Sequence, residues 1–259
     1  MDLGISGKRA LVLGGTKGLG RGIADALASE GATVSITGRD QSDAGTAARS
    51  RAGSARGFAL DLTKPEALDS FLGRVSSEMG TIDVLVLNGG GPRPSSASEI
   101  DPHYWRNQFD AMVLSMMRIT SHFLPNMIQS QWGRIIAVGS TSVREPISGL
   151  TVSNALRAAL AGWMKTLATE VAPHGVTVNM MLPGSLATDR TLSFDKADAE
   201  KEGLTLEQVA ARSQARIPAG RYGTPEEFGA VAAFLASQQA SYITGVAISV
   251  DGGSSRSML

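Results

Sequence analysis

Short apolar runs alternate along the whole chain with longer segments in which apolar residues recur at helical spacing. Leu19, Ile23 and Leu27 are spaced four residues apart, which is typical of one face of a helix. The apolar runs are rich in Val and Ile and almost continuous, which predicts strands that are buried on both faces. Seven such runs are present, at residues 9–13, 33–37, 56–60, 82–87, 134–138, 176–182 and 246–250.

One helix start is especially clear in the sequence. Thr224 is a suitable N-cap, Pro225 suits the first helical position, and two glutamates fill the first turn. Regular alternation of strands and helices predicts a parallel sheet with helices on both faces, since parallel strands need crossover connections. No linker or repeat interrupts the pattern, so we expect one domain over residues 1–259. The polar segment at about 186–217 is expected to act as a mobile helical flap.

Composition and charge exclude several classes of protein. The 259 residues carry 24 Lys and Arg against 24 Asp and Glu, and this neutrality argues against a nucleic-acid partner or an anionic membrane surface. No apolar stretch reaches about 18 residues and no signal peptide is evident, so we expect a cytoplasmic protein without a membrane span. The absence of cysteine excludes disulfides and a cysteine nucleophile. Three scattered histidines predict no metal site.

Glycine is abundant, at 30 of 259 residues, against a usual share of about 7%. The first predicted strand leads into Gly14-Gly15-Thr16-Lys17-Gly18-Leu19-Gly20 and then into a helix. Glycines there permit a tight turn and close approach to a pyrophosphate, and the helix amino terminus attracts phosphate. This context predicts a dinucleotide site and an α/β fold with a Rossmann-type doubly wound parallel sheet of about seven strands.

The second predicted strand ends in Thr37-Gly38-Arg39. An acidic side chain near this position would bind a ribose 2′-hydroxyl, whereas an arginine accommodates a 2′-phosphate. Lys17 can place a second positive charge beside the same phosphate. With no acid at Gly38, the pair Lys17 and Arg39 favours NADP(H) over NAD(H). The alternative interpretation is that both are ordinary surface cations.

These motifs, together with later ones in the same order, resemble the short-chain dehydrogenase/reductase family over essentially the whole chain. Gly14, Gly18 and Gly20 match the family's glycine motif, although Leu13 stands where threonine is common. Residues 242–245 and 250–253 resemble the family's carboxy-terminal signature. The resemblance implies cofactor contacts from the glycine turn, from the adenine side, from the loop after the fourth strand and from the nicotinamide side. The corresponding residues are Gly14, Thr16, Lys17, Gly18, Leu19, Gly20, Arg39, Asp61, Leu62, Asn88, Gly89, Gly90, Arg157, Pro183, Gly184 and Thr188.

The family's catalytic residues are a serine, a tyrosine, a lysine four residues after the tyrosine, and often an asparagine on the preceding long helix. Ser140 matches the serine, but Ser153 stands at the tyrosine position and Arg157 at the lysine position. Met112 occupies the asparagine position, and no tyrosine lies between Ser140 and Arg157. The resemblance therefore implies an atypical member with Ser-x-x-x-Arg, in which Ser140, Ser153 and Arg157 are the catalytic candidates.

Two classes of function remain open. The first is an NADP(H)-dependent oxidoreductase of the carbonyl or quinone reductase type, related to 3-oxoacyl carrier-protein reductases. Arg157 would then stabilise the developing oxyanion while water delivers the proton, since arginine cannot shuttle one. Activity is expected to be weak or restricted to activated substrates. The second class is a catalytically degenerate NADP-binding sensor or hetero-oligomer partner. A non-redox reaction in the same pocket, such as isomerisation or dehydration, is a further alternative.

The resemblance also carries expectations about partners. Carrier-protein reductases of the family usually have basic residues where this chain has Gln129, Gln131 and His174, so an acidic carrier has less to dock against. Arg93, in the loop after the fourth predicted strand, either reaches an anionic substrate or is simply solvated. Family members commonly pair the long helix and the Ser153 helix across two-fold axes, which implies a homotetramer or homodimer.

Overall fold

Seven parallel strands form one sheet in the computed structural model, which describes residues 2–49 and 56–257. The strands are β1 (Arg9–Val12), β2 (Thr33–Gly38), β3 (Arg56–Ala59), β4 (Val84–Leu87), β5 (Gly133–Val138), β6 (Val176–Pro183) and β7 (Ala247–Val250). They lie in the order β3-β2-β1-β4-β5-β6-β7. The prediction of a Rossmann-type doubly wound sheet is confirmed. The strand order reverses between β1 and β4, where sheets of this kind bind ligands at the carboxyl ends of their strands.

All seven predicted strands are present, with ends that differ from the predicted ends by at most two residues. At β4 the ladder starts at Val84 because the Asp83 side chain accepts the Arg9 N–H at 2.8 Å. Strands β4 and β5 are buried along their whole length, as their apolar runs predict, whereas β7 is half-buried.

Helices cover both faces of the sheet. Within the described residues they are α1 (Gly18–Ser29), α2 (Gln41–Arg49), α3 (Leu68–Met79), α4 (Pro102–Phe109), α5 (Ser115–Gln129), α6 (Thr151–Val171), α7 (Asp189–Glu202), α8 (Leu206–Ala215) and α9 (Pro225–Ala236). A π-helical turn, Asp110–Leu114, joins α4 to α5. One core packs α3, α5 and α6 on the sheet through Phe71, Phe123 and Leu160. The other packs α1 and α9 on the opposite face through Ile23 and Phe228.

Helix α9 begins as the sequence predicts. Thr224 Oγ1 accepts the Glu227 N–H at 3.2 Å, and Glu227 Oε2 accepts the Thr224 N–H at 2.8 Å. This reciprocal capping satisfies two backbone donors that the helix itself leaves unpaired.

The segment at about 186–217 contains α7 and α8. A parallel bridge between Leu186 and Gly223 joins the start of the segment to the residues that follow it. The Tyr222 hydroxyl donates to Asp195 Oδ2 at 2.8 Å. Burial raises the pKa of Tyr222, so the phenol stays protonated and keeps this bond at neutral pH. Movement of the segment as a flap stays a prediction.

No helix in residues 2–49 or 56–257 is both long enough and apolar enough to cross a membrane. Those same residues include no group of three or more His, Asp or Glu side chains arranged to hold a metal ion.

Candidate active site

The turn after β1 requires glycine at several positions. Gly14 and Gly18 have φ angles of +58° and +55°, in the left-handed region that favours glycine. A Cβ at Gly20 would lie 2.2 Å from the Gly14 carbonyl oxygen, and a Cβ at Gly15 would lie 2.7 Å from Ile36 Cγ2. The turn therefore packs too closely against the Ile36 side chain of β2 and the start of α1 for side chains at Gly15 and Gly20, as a pyrophosphate-binding turn requires.

The amino terminus of α1 has backbone N–H groups without a side-chain cap. Lys17 is the N-cap residue, but its side chain makes no capping hydrogen bond. Gly18 begins the helix and Leu19 packs against the core on that face of the sheet. Uncapped N–H groups and the partial positive charge at a helix amino terminus attract phosphate.

Neighbouring strands hold the glycine turn in place. Thr37 Oγ1 accepts the Gly14 N–H at 2.9 Å. Asn88 Nδ2 donates to the Leu13 carbonyl at 3.0 Å and to the Gly14 carbonyl at 3.2 Å. Asn88, which was predicted to contact the cofactor, thus also fixes the shape of the turn, and Thr37 is a supporting residue that the sequence did not reveal.

The end of β2 has little room for an acidic side chain. A Cβ at Gly38 would lie 2.7 Å from Thr16 Cγ2. Arg39, the next residue, is exposed. The pKa of the Asp61 carboxyl is lowered, first by the Thr63 hydroxyl that donates to it at 2.7 Å and further by nearby cations that include Arg39. Thr16, Arg39 and Asp61 therefore surround the same end of the sheet.

Lys17 contacts the predicted flap. Its Nζ lies 3.5 Å from Asp189 Oδ2, and both side chains are largely exposed. Such a pair contributes about 0–1 kcal/mol, so it leaves Lys17 available to a phosphate. Within the part of the chain that the structure describes, no ion pair or hydrogen bond joins Lys17 or Arg39 to a shared group, and their joint role stays a prediction.

The loop after β4 lies against the adenine-side residues. A Cβ at Gly89 would lie 3.2 Å from both Leu62 Cδ1 and Met116 Cε, so this position needs a small residue. At Gly90 a Cβ would meet nothing within 4 Å. Close packing against Leu62 thus favours a small residue at Gly89. At Gly90, the packing of the described residues does not require glycine.

The predicted nicotinamide-side residues lie between β6 and α7. Pro183 ends β6, and a Cβ at Gly184 would lie 2.6 Å from Asp251 Cβ, in the turn after β7. Thr188 is the N-cap of α7, and its methyl carbon lies 3.8 Å from the position of a Cβ at Gly18. The structure therefore brings Thr188 beside the glycine turn.

Ser153 and Arg157 form a hydrogen-bonded pair on α6. Arg157 Nε donates to Ser153 Oγ at 3.3 Å, and Arg157 Nη1 donates to the Val138 carbonyl at 2.7 Å. Ser153 is buried and Arg157 is half-buried. Burial, and to a smaller extent the charge of Arg190, lowers the pKa of Arg157 to about 10. The guanidinium therefore remains charged at neutral pH, at the carboxyl end of β5.

Ser140 follows β5 at the same edge of the sheet. It stands two residues after Val138, and its Oγ accepts the Ser142 N–H at 3.1 Å, where a short 3-10 turn begins. The three predicted catalytic residues thus share the region where β5 ends and α6 begins. No hydrogen bond joins Ser140 to Ser153 or Arg157 in the described ranges.

The tyrosines and the nearest lysine are engaged elsewhere. The Tyr104 hydroxyl accepts the Arg93 N–H at 2.8 Å, and the Arg93 guanidinium stacks on that ring at 4.7 Å. Tyr222 binds the predicted flap and Tyr242 is fully exposed. Lys165 donates to a carbonyl oxygen just before β7. None of these side chains contacts the Ser153–Arg157 pair through a hydrogen bond.

Arg190 is a residue of this region that the sequence did not single out. It lies in the first turn of α7, and its Nη2 is 2.8 Å from the position of a Cβ at Gly91. The same atom donates to the Pro92 carbonyl at 3.4 Å, and the guanidinium stacks on the Phe194 ring at 4.9 Å. A cation from the predicted flap therefore reaches the loop after β4.

An open groove of about 820 Å³ lies beside the first turn of α6. Its walls are the loops at 94–97 and 146–149, and Asn154, the neighbour of Ser153, closes one side. Asn154 holds one of these loops by donating to the Ile147 carbonyl at 2.8 Å. Ser153 and Arg157 are not among the residues that line this groove, and Asn154 links it to the helix that carries them.

Comparisons with known proteins place this geometry in a family. A family model described as Enoyl-(Acyl carrier protein) reductase matches residues 14–255. The 3-oxoacyl-[acyl-carrier-protein] reductase FabG of Vibrio cholerae is 36% identical over 251 residues, which are 97% of this chain and 98% of that protein. L-sorbose reductase from Gluconobacter frateurii, solved with NADPH and L-sorbose, is 30% identical, with a TM-score of 0.94 and 100% of both chains covered. YwfH, an NADPH dependent reductase involved in bacilysin biosynthesis, is 30% identical, with a TM-score of 0.91 over 98% of this chain and 100% of that one.

These matches include the glycine turn, the loop after β4 and the helix that carries Ser153 and Arg157, since they cover nearly the whole chain. The relatives are reductases by name, and the sheet order is that of the confirmed Rossmann-type fold. The chain therefore belongs to the short-chain dehydrogenase/reductase family of oxidoreductases.

Proposed function

We propose that this chain is an NADP(H)-dependent carbonyl or quinone reductase in which Ser153 and Arg157 replace the tyrosine and lysine of the family. The observation that carries the proposal is the position of Arg157, hydrogen-bonded to Ser153 and to the Val138 carbonyl at the carboxyl end of β5. A fixed cation there stabilises negative charge that develops on a carbonyl oxygen. Ser140 adds a hydroxyl at the same edge of the sheet.

The residues present fit a dinucleotide that carries a 2′-phosphate. The glycine turn permits close backbone approach, and the uncapped amino terminus of α1 suits the pyrophosphate. Gly38 faces Thr16 too closely for the carboxylate that would bind a free 2′-hydroxyl, whereas the exposed Arg39 can bind a 2′-phosphate. Asp61 would lie on the adenine side. The NADPH named for two of the solved relatives supports the same cofactor here.

Chemistry at this site differs from that of the usual family members. When bound, NADPH supplies a hydride to the carbonyl carbon. Arg157 keeps its proton at neutral pH, and the Ser153 hydroxyl is a far weaker acid than a phenol, so water supplies the proton. Loss of a placed general acid typically slows a reaction by about 10²–10⁴. Activated substrates, such as 1,2-dicarbonyls or quinones, suit the site. The second carbonyl of a dicarbonyl makes the reacting carbon more electrophilic, and the phenolate formed from a quinone needs no immediate protonation.

Cofactor preference is tested by titrating NADPH and NADH against the wild type and Arg39→Ala. We expect Arg39→Ala to weaken NADPH binding roughly 10- to 100-fold, because a charge-assisted phosphate contact is lost, and to leave NADH binding unchanged. Equal losses for both cofactors would contradict the 2′-phosphate assignment.

Turnover is tested with 2,3-butanedione, a para-quinone and an acetoacetyl thioester, each followed by the loss of NADPH absorbance. We expect oxidation with the dione or the quinone. The thioester arm tests the carrier-protein activity that the similarity to FabG suggests.

A degenerate NADP-binding sensor or hetero-oligomer partner is the second candidate. It is favoured by one observation: among the described residues, no tyrosine hydroxyl bonds to Ser153 or Arg157. Tight NADPH binding without oxidation of any substrate would establish this alternative. In that case the restoring double variant, Ser153→Tyr with Arg157→Lys, should turn over where the wild type does not.

A further inference from the structure

Two arginines from different parts of the chain converge on adjacent strand ends. Arg157 donates to Val138, the last residue of β5, and Arg190 contacts Gly91 and Pro92 in the loop after β4. Strands β4 and β5 are neighbours in the sheet, and both loops leave its carboxyl edge. The two guanidinium groups therefore lie on the same side of the sheet, beside the region that holds Ser153.

Neither guanidinium has an acidic partner. Arg157 donates to a hydroxyl and a carbonyl, and Arg190 donates to a carbonyl and stacks on Phe194. Across residues 2–49 and 56–257, no Asp or Glu forms an ion pair with either of them. Elsewhere on this chain arginines pair readily with carboxylates, as Arg212 does with Glu202. Two unpaired like charges at one edge favour binding of an anion.

The charge of Arg190 reaches Arg157, since it contributes to lowering the pKa of that residue. Arg190 is itself exposed, so an incoming anion has access to it. Arg93, which lies in the loop after β4, is also exposed, but its guanidinium stacks on the Tyr104 ring. Of these two arginines, Arg190 is the one whose charge lowers the pKa of Arg157.

We propose that Arg190 binds the carboxylate of the substrate, with Arg157 on the neighbouring carbonyl oxygen, and that the preferred substrates are therefore 2-oxo acids. A 2-oxo acid carries a carbonyl oxygen and a carboxylate on adjacent carbons, and so offers one group to each of the two cations. The proposal rests on the reductase function above and narrows its substrate class. It also makes Arg190, on the predicted flap, a specificity-determining residue.

The reaction balances with one cofactor and one proton. The carbonyl carbon of the 2-oxo acid gains the hydride of NADPH, the carbonyl oxygen gains a proton from water, and the products are a 2-hydroxy acid and NADP⁺. The carboxylate is unchanged throughout, so Arg190 contributes binding and orientation, and Arg157 stabilises the oxygen on which charge develops.

The first experiment compares benzoylformate with methyl benzoylformate, in which a methyl group replaces the negative charge of the acid. We expect the wild type to show a KM for the acid that is roughly 10- to 100-fold below that for the ester, since a charge-assisted contact is worth that factor. Arg190→Met should raise the KM for the acid by the same factor and leave the ester unchanged. Arg93→Met, the matched control in the loop after β4, should change neither KM.

The second experiment measures binding by calorimetry on protein saturated with NADP⁺, which cannot reduce the two probes, benzoylformate and pyruvate. Binding that is lost in Arg190→Met and retained in Arg93→Met supports the carboxylate site, even when no turnover occurs; the reductase function then fails while the site stands. Equal binding of acid and ester, or no binding of either acid, overturns the site. A loss of NADPH affinity in Arg190→Met as large as the loss for the acid also overturns it, because Arg190 then serves a cofactor phosphate.

Discussion

Replacement of Arg157 by methionine separates what this residue does for catalysis from what it does for stability. Burial, together with the nearby charge of Arg190, lowers the pKa of Arg157 to about 10, which corresponds to about 3 kcal/mol of free energy that opposes folding in the charged state. Since the folded pKa lies below the unfolded one, this unfavourable contribution acts at every pH below about 10 and fades above it. Arg157→Met removes it.

The interactions that Arg157→Met removes contribute a free energy of similar size to this burial cost. The Val138 carbonyl is left without its Arg157 partner, at a cost of about 1–3 kcal/mol, and the 3.3 Å bond to Ser153 contributes less. We therefore expect the free energy of unfolding of Arg157→Met to stay within about 2 kcal/mol of the wild type. Its kcat for 2,3-butanedione should fall by about 10²–10³, because a preorganised charge at the reacting oxygen is gone.

Arg134 provides the matched control. It is fully buried on β5, and burial alone lowers its pKa to about 10. Its guanidinium donates to the carbonyls of Ser237, Gly133 and Gly175, away from Ser153. Arg134→Met removes a burial cost of similar size to that of Arg157, but it leaves three acceptors unpaired at about 1–3 kcal/mol each. We therefore expect a net loss of about 2–3 kcal/mol in unfolding free energy, with kcat unchanged in the folded fraction.

The assay pairs urea unfolding with steady-state oxidation of NADPH on the same preparations. Opposite patterns in the two variants are expected: lost rate with kept stability for Arg157→Met, and kept rate with lost stability for Arg134→Met. If Arg157→Met unfolds as easily as Arg134→Met and retains its kcat, Arg157 is a structural residue and the reasoning is refuted.

Three further predictions concern pH, the glycine turn and assembly. Because a base loses its charge as pH rises through its pKa, kcat/KM of the wild type should be flat from about pH 6 to 9 and fall above about 10; an earlier fall would mean that a group other than Arg157 carries the charge. Gly20→Ala, whose Cβ would lie 2.2 Å from a carbonyl oxygen, should weaken NADPH binding at least about 10-fold in a fluorescence titration, whereas Gly73→Ala, with open space, should not. Leu114→Asp, at an exposed apolar position between α4 and α5, should reduce the molar mass measured by light scattering if that face joins subunits, and an unchanged mass would contradict it.

Local features of the site could be predicted from the sequence. The glycine turn was predictable because strand, glycines and helix are consecutive. The positive φ of Gly14 and the contact of a Cβ at Gly20 with the Gly14 carbonyl both arise within that stretch. Ser153 and Arg157 are four residues apart, a spacing that puts side chains on one face of a helix, and the structure joins them by a hydrogen bond. The strands followed from continuous apolar runs, because burial on both faces leaves a strong signal.

Contacts between distant segments could not be predicted in the same way, and Arg190 shows why. Its charge acts at Arg157 only because α7 folds back over the loop after β4, next to a bridge between Leu186 and Gly223 and a bond between Tyr222 and Asp195. Hydrophobic periodicity tells which face of a helix is buried but not which strand end the helix approaches. The catalytic site predicted from the sequence therefore contained one cation, Arg157, and its substrate was undefined. The second cation changes the electrostatic requirement, since a neutral carbonyl compound would leave Arg190 without a partner whereas a carboxylate would pair with it.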